Sequence, residues 1–71
     1  MDAVKELLVK NGFSKIESNH YVNYMCEVKI FKNHYHILEN SKSSIYSDNL
    51  NIYWLIGYLT YYDLMDKNYV L

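Results

Sequence analysis

The sequence predicts a small α+β domain, in which two helices flank an antiparallel sheet. Three observations support this prediction. Apolar residues recur at helical spacing near the N-terminus, at Val4, Leu7 and Leu8. Apolar and polar residues alternate over residues 22–30, as they do in a half-buried strand. Residues 49–62 form an apolar stretch without a single charge, long enough for a second helix.

The first helix is predicted over residues 3–11. Asn11 and Gly12 end it, because glycine readily adopts the left-handed conformation that closes many helices. Phe13 then follows at the position from which an apolar side chain folds back onto the last turn.

The sheet is predicted from the alternation over residues 22–30 and from the stretch "HYHILE" that follows. Five residues are expected on the core side of the first of these strands: Val22, Tyr24, Cys26, Val28 and Ile30. A two-residue turn at Lys32 and Asn33 pairs Ile30 with Tyr35 and Val28 with Ile37, so that apolar residues share one face. The same register sets Lys29 opposite His36 and Phe31 opposite His34, on the outer face.

Residues 13–21 are less regular. Ile16 and Tyr21 are the apolar anchors there, and Ser18 and Asn19 offer a turn, which predicts one more short strand. A turn near residues 23–25 is the alternative. The expected sheet is therefore an antiparallel meander of two or three strands.

The second helix is predicted over residues 49–62, after a polar connection with a few extended residues around Ile45 and Tyr46. Ser47, Asp48 and Asn49 are the candidate N-caps, and Asp63 is expected in the turn that ends the helix. Both helices are expected on one sheet face. Residues 1–71 then form one compact domain with a short C-terminal tail.

Charge and cysteine content exclude several classes of protein. The net charge is −1, and the lysines are spread along a chain without arginine, so no basic patch suggests nucleic-acid binding. Cys26 is the only cysteine, which excludes an internal disulfide and fits a reducing compartment. The uncharged stretch is shorter than the about 20 apolar residues of a membrane span. We therefore expect a cytoplasmic protein without membrane contact.

Few residues suggest catalysis or metal binding. His34 and His36 can share one strand face, but only Glu27 is near enough in the predicted sheet to act with them. Cys26 is expected on the core side, where a thiol behaves as a small apolar group. His20 has no evident acidic partner. We expect no enzymatic activity, no cofactor and no metal.

The uncharged helix has two apolar sides. Its aliphatic side should cover the sheet and consists of Ile52, Leu55, Ile56 and Leu59. The other side is predicted to bind a partner and consists of Leu50, Tyr53, Trp54, Gly57, Tyr58 and Tyr61. Tyrosine and tryptophan dominate interface hot spots, and a mid-helix glycine leaves room for close approach.

Three things could cover this aromatic side. The tail residues Leu64, Met65, Tyr69 and Val70, or the first helix, could pack on it. A second copy of the chain could do so in a homodimer. A different protein is the third alternative.

The stretches "KELLVKNGF", "CEVKIFKNHYHILE" and "SDNLNIYWLIGYLTYYDLMDKNY" resemble small tyrosine- and asparagine-rich proteins of phages and mobile elements of low-GC bacteria. That group includes some anti-CRISPRs. The resemblance implies a non-catalytic inhibitor that binds a host or defence protein. A homo-oligomeric virion or scaffold component is the runner-up, and a nucleic-acid-binding module comes third.

Overall fold

The computed structural model describes residues 2–39, 43–47 and 51–71, and for residues 2 and 43–47 it describes the backbone alone. Along the chain, the elements are α1 (Asp2–Lys10), β1 (Ser14–Glu17), β2 (His20–Val22), β3 (Cys26–Ile30), β4 (Tyr35–Glu39), β5 (Ser43–Ser47) and α2 (Ile52–Tyr61). The predicted α+β class, with a helix at each end of an antiparallel sheet, is confirmed.

The sheet is a meander in which every strand pairs antiparallel with the next, in the order β1-β2-β3-β4-β5. It has five strands, more than the two or three expected. One additional strand comes from residues 14–22, which form a hairpin around the turn at Ser18 and Asn19. Another is β5, whose serine-rich sequence hides the apolar alternation on which the prediction relied.

The predicted register of the central hairpin is confirmed. Ile30 pairs with Tyr35, Val28 with Ile37, and Lys29 with His36. At the turn, the Phe31 N–H donates to the carbonyl of His34 over 2.9 Å. Val28 and Ile37 are fully buried, so this register places apolar side chains on the core side of the sheet.

The expected continuous strand over residues 22–30 is wrong, and the alternative turn near residues 23–25 is confirmed. The Asn23 Oδ1 accepts the backbone N–H groups of Met25 (2.8 Å) and Cys26 (2.9 Å), which reverses the chain. Tyr24, expected in the core, is therefore fully exposed, and Val22 is only half-buried. On β2 the buried residue is Tyr21 instead.

On β1, the expected anchor Ile16 is exposed, at a point where the pairing register shifts between Lys15 and Glu17. A bulge of this kind bends the strand and removes a side chain from its regular position. The exposed Ile16 corrects the sequence prediction.

The two helices end with the same motif. A buried apolar residue just after the turn donates its backbone N–H to the carbonyl of the residue five positions earlier. In α1, Gly12 has a φ of 93°, and the Phe13 N–H donates to the Leu8 carbonyl over 2.9 Å. In α2, Asp63 has a φ of 57°, and the Leu64 N–H donates to the Leu59 carbonyl over 2.7 Å. The predicted roles of Gly12, Phe13 and Asp63 are confirmed.

The start of α2 differs from its prediction. Asn51 is the N-cap, and its Oδ1 accepts the N–H groups of Tyr53 (2.8 Å) and Trp54 (3.3 Å). Ser47 lies in β5, whereas Asp48 and Asn49 lie outside the described residues.

Both helices pack on the same face of the sheet and share one core with it. Its buried residues are Val4, Leu7, Leu8, Phe13, Tyr21, Cys26, Val28, Ile30, Tyr35, Ile37, Leu55, Ile56, Leu59, Leu64 and Met65. Ile52 is partly buried against this core, so the predicted aliphatic side of α2 is confirmed. In the described part of the chain, neither helix is long and apolar enough to cross a membrane.

Candidate protein-binding surface

The residues of α2 that face away from the sheet form a row at four-residue spacing, and we call it the outer row: Tyr53, Gly57 and Tyr61. The two tyrosines are 72% and 77% exposed, and Gly57 is exposed between them. Residues four apart are neighbours on a helix surface, so the row is continuous. The helix contains no charged residue. The outer row is therefore an exposed aromatic surface without charge.

A second row at the same spacing, the inner row, comprises Trp54, Tyr58 and Tyr62. Trp54 stacks on Tyr35 of β4, with ring centroids 6.0 Å apart and planes 7° apart. Tyr58 stacks on Trp54 at 5.4 Å, and Tyr62 lies 4.6 Å from Tyr58. Trp54 and Tyr58 are partly buried against the core. The predicted aromatic side is therefore divided into two rows, because Trp54 and Tyr58 pack against the core.

Tyr58 is anchored by a hydrogen bond as well as by stacking. Its hydroxyl donates to the Glu39 Oε2 over 2.7 Å, and Glu39 ends β4. Burial raises the pKa of Tyr58, and the hydrogen bond to the Glu39 carboxylate raises it further. This contact fixes the last turn and a half of α2 on the sheet, and with it the position of the outer row.

Gly57 lies at the centre of the outer row. Beyond the adjacent residues and the backbone of the helix itself, a Cβ atom at this position would meet no atom within 4 Å, so the space above it is open. The predicted flat spot on the helix is present. Leu50, the remaining predicted partner-binding residue, lies outside the described residues.

The C-terminal tail leaves the outer row uncovered. Leu64 and Met65 are buried in the core, and the chain then passes to the end of α1. There the Asn11 side chain accepts the Val70 N–H and donates to the Val70 carbonyl, each over 2.8 Å. Tyr69 and Val70, two of the four tail residues that were one alternative cover for the aromatic side, lie near α1 instead and are partly exposed.

The outer face of the sheet carries the histidines that were considered for catalysis or metal binding. The His20 Nε2 lies 2.7 Å from a Glu27 oxygen, so the expectation that His20 has no acidic partner is wrong. The partner was missed because the turn at Asn23 brings two residues seven apart in sequence together. Phe31 stacks on His34 at 4.8 Å. Among the described residues, no three His, Cys, Asp or Glu side chains are grouped to hold a metal ion.

Cys26 lies on the opposite face, in the core, as predicted. Burial raises the pKa of its thiol to about 12, with smaller contributions from Glu39 and Glu27. The thiol is therefore protonated at neutral pH and separated from His20 by the sheet. The two residues do not form a nucleophile–base pair.

No protein-family model, curated protein or solved structure matches this chain.

Sequence reasoning missed two residues of the surface. Tyr62 completes the inner row, and the spacing of Trp54, Tyr58 and Tyr62 was a signal for it. Glu39 had no such signal, because its contact with Tyr58 depends on how the helix crosses β4.

Proposed function

We propose that the chain is a non-catalytic protein-binding domain and that the outer row, Tyr53, Gly57 and Tyr61, contacts the partner. The observation that carries this proposal is that two tyrosines are exposed on one side of a helix without charge, with Gly57 between them. The buried side of the same helix holds Leu55 and Leu59 in the core. Stability therefore does not require the aromatic residues of the outer row.

The shape of the surface favours a protein over a small molecule. Tyr61 lies eight positions after Tyr53, which is about 12 Å along the helix axis. Such a convex surface does not enclose a ligand, as small-molecule sites do. Tyrosines supply large contact areas at low rotamer cost, and Gly57 admits a side chain or backbone between them.

The rigidity of the surface adds to this argument. The inner row and the Tyr58–Glu39 hydrogen bond hold the helix before any partner arrives. A surface that is already ordered loses less conformational entropy on binding.

The resemblance to proteins of phages and mobile elements suggests the biological setting of this proposal. In that setting the partner is a host or defence protein, and the domain inhibits it in the host cytoplasm. The single buried thiol fits a reducing compartment of this kind.

The second candidate function is a structural homo-oligomer that associates through the same row. It is favoured by the symmetric spacing of Tyr53 and Tyr61 about Gly57. In an antiparallel helix pair related by a two-fold axis, each Tyr53 would meet the Tyr61 of the other copy.

The experiment compares three baits in a pull-down from the organism that encodes the chain or from its host. Besides the wild type, these are Gly57→Arg and, as a matched control, Ala3→Arg at an exposed position of α1. Both variants should fold, since Gly57 has open space above it and arginine is the better helix former by about 0.5–1 kcal/mol. We expect a partner that the wild type and Ala3→Arg retain and Gly57→Arg loses.

Circular dichroism on all three baits and light scattering complete the experiment. A folded Gly57→Arg that keeps every partner would refute the proposal. A wild-type dimer that Gly57→Arg converts into a monomer would instead support the homo-oligomer.

A further inference from the structure

The last strand of the sheet, β5, presents a regular edge. All five of its residues pair with β4, from Ser47 opposite Tyr35 to Ser43 opposite Glu39, without a register shift. β5 ends the strand order, and none of the described residues pairs with its other side. An edge of this kind exposes a row of backbone N–H and C=O groups that another strand can bind.

The opposite edge of the sheet is protected in two ways. β1 is only four residues long and contains the register shift between Lys15 and Glu17. Bulges and charged residues are the means by which proteins keep sheet edges from pairing with other chains. The sequence of β5, "SSIYS", contains no charge and no proline, and its ladder contains no bulge. The two edges therefore differ in their readiness to pair.

We propose that β5 pairs antiparallel with β5 of a second copy, so that the two sheets join into one of ten strands. Antiparallel self-pairing centred on Ile45 is the register that pairs all five residues. It sets Ser44 opposite Tyr46 of the second copy and Ser43 opposite Ser47. Because the strand is uncharged, no like charges meet across the two-fold axis.

A second copy brings a strand that matches this edge, since it also has five residues, no charge and no bulge. A five-residue strand is about 17 Å long, and its ladder alone buries less than the about 800 Å² per partner of a stable interface, which limits the strength of the pairing. The resulting dimer is weak and concentration-dependent, with a dissociation constant in the micromolar range or above. Symmetry supplies the matching neutral strand without requiring any further complementary surface.

The dimer would also determine how the outer rows are displayed. Two antiparallel strands of one sheet are related by an axis perpendicular to the sheet, which leaves both copies of α2 on the same face. The proposal does not rest on the function proposed above, because β5 and the outer row are separate surfaces.

The first test uses the unmodified protein. Sedimentation equilibrium from about 10 µM to about 1 mM, the range over which a weak dimer forms, should show a monomer–dimer equilibrium. Hydrogen exchange in the same series should show β5 amides that are unprotected in the monomer and become protected in the dimer. A monomer at every concentration, or a dimer without new protection in β5, would overturn the proposal.

The second test checks the proposed register by placing charges at residues that should lie opposite each other in the dimer. The double variants Ser44→Lys/Tyr46→Lys and Ser44→Glu/Tyr46→Glu should each be monomeric, because like charges then lie directly opposite each other. A mixture of the two should form a heterodimer. The matched control Ser14→Lys/Ile16→Lys adds the same charge to β1 and should leave the dimer intact, as should Gly57→Arg.

Dimerisation that survives both β5 double variants, or that Gly57→Arg abolishes, would place the contact elsewhere and refute the inference. If the double variants fail to fold, as circular dichroism would show, the exchange measurement on the unmodified protein decides.

Discussion

The two glycines of the chain have opposite conformations, because Gly12 follows the end of α1 and Gly57 lies inside α2. Gly12 has a φ of 93°, whereas Gly57 lies inside α2 with open space around the position of a Cβ atom. Gly12→Ala should lower the free energy of unfolding by about 1–2 kcal/mol, the cost of a left-handed residue with a side chain. Gly57→Ala should raise it by about 1 kcal/mol. Urea denaturation of both variants measures the difference, and changes of the same sign would contradict the assignment.

Cys26 offers a second prediction for a single residue. Its pKa is raised from an ordinary 9.0 to about 12, mainly by burial, so the reactive thiolate is far scarcer than in an exposed thiol. We expect Ellman's reagent at pH 8 to label the folded protein far more slowly than the urea-unfolded protein. Rapid labelling without denaturant would show that β3 opens or that the thiol is accessible.

Among the elements, those defined by local signals could be predicted from the sequence. The hairpin between β3 and β4 combines strict alternation with a two-residue turn, which together leave one register. The end of α1 could be predicted from Gly12 and the apolar residue after it alone. The break at Asn23 was harder, because apolar alternation continues through it and only the side-chain hydrogen bonds of Asn23 reveal the turn. β5 was predicted only as a few extended residues around Ile45 and Tyr46, because its serines leave no apolar alternation of the kind that marks β3.

The contact between α2 and β4 contains two tyrosine hydroxyls in opposite situations. The Tyr58 hydroxyl donates to Glu39, whereas the buried Tyr35 hydroxyl has no hydrogen-bond partner among the described residues. Tyr58→Phe should lower the free energy of unfolding by about 1.5–3 kcal/mol, since it removes a hydrogen bond to a charged group. Tyr35→Phe keeps the ring that stacks on Trp54 and should be neutral or stabilising.

Thermal and urea unfolding of these two variants provide the measurement, and Tyr61→Phe on the exposed outer row is the control. Equal destabilisation by Tyr58→Phe and Tyr61→Phe would show that the contact with Glu39 does not stabilise the helix. A Tyr35→Phe variant less stable than the wild type by more than about 1 kcal/mol would show that the hydroxyl has a partner.

Helical periodicity distinguished the buried aliphatic side of α2 from its aromatic residues. It could not divide those aromatic residues into an exposed outer row and a partly buried inner row, because that depends on how the whole molecule packs. That division depends on which strand lies under the helix. Trp54 and Tyr58 are partly buried because Tyr35 and Glu39 of β4 lie beneath them, each 19 residues earlier in the sequence than its partner. A wheel of α2 alone contains no information about this contact. Hence Tyr53, Gly57 and Tyr61 keep their predicted exposure, while Trp54 and Tyr58 are reassigned to the edge of the core.

The single core predicts that the domain unfolds as one unit. Both helices and the sheet contribute to one cluster of buried side chains, and Trp54, the only tryptophan, stacks at its edge. Tryptophan fluorescence and far-UV circular dichroism should therefore give coincident urea transitions. Leu59→Ala, at a fully buried position, should lower the free energy of unfolding by about 2–5 kcal/mol, comparable to the whole stability of so small a domain. The folded-state fluorescence and circular dichroism signals should then be lost together. Tyr53→Ala should change the transition little. Separate transitions for the two probes would show that α2 unfolds independently of the sheet, in which case the outer row could not be held rigid for a partner.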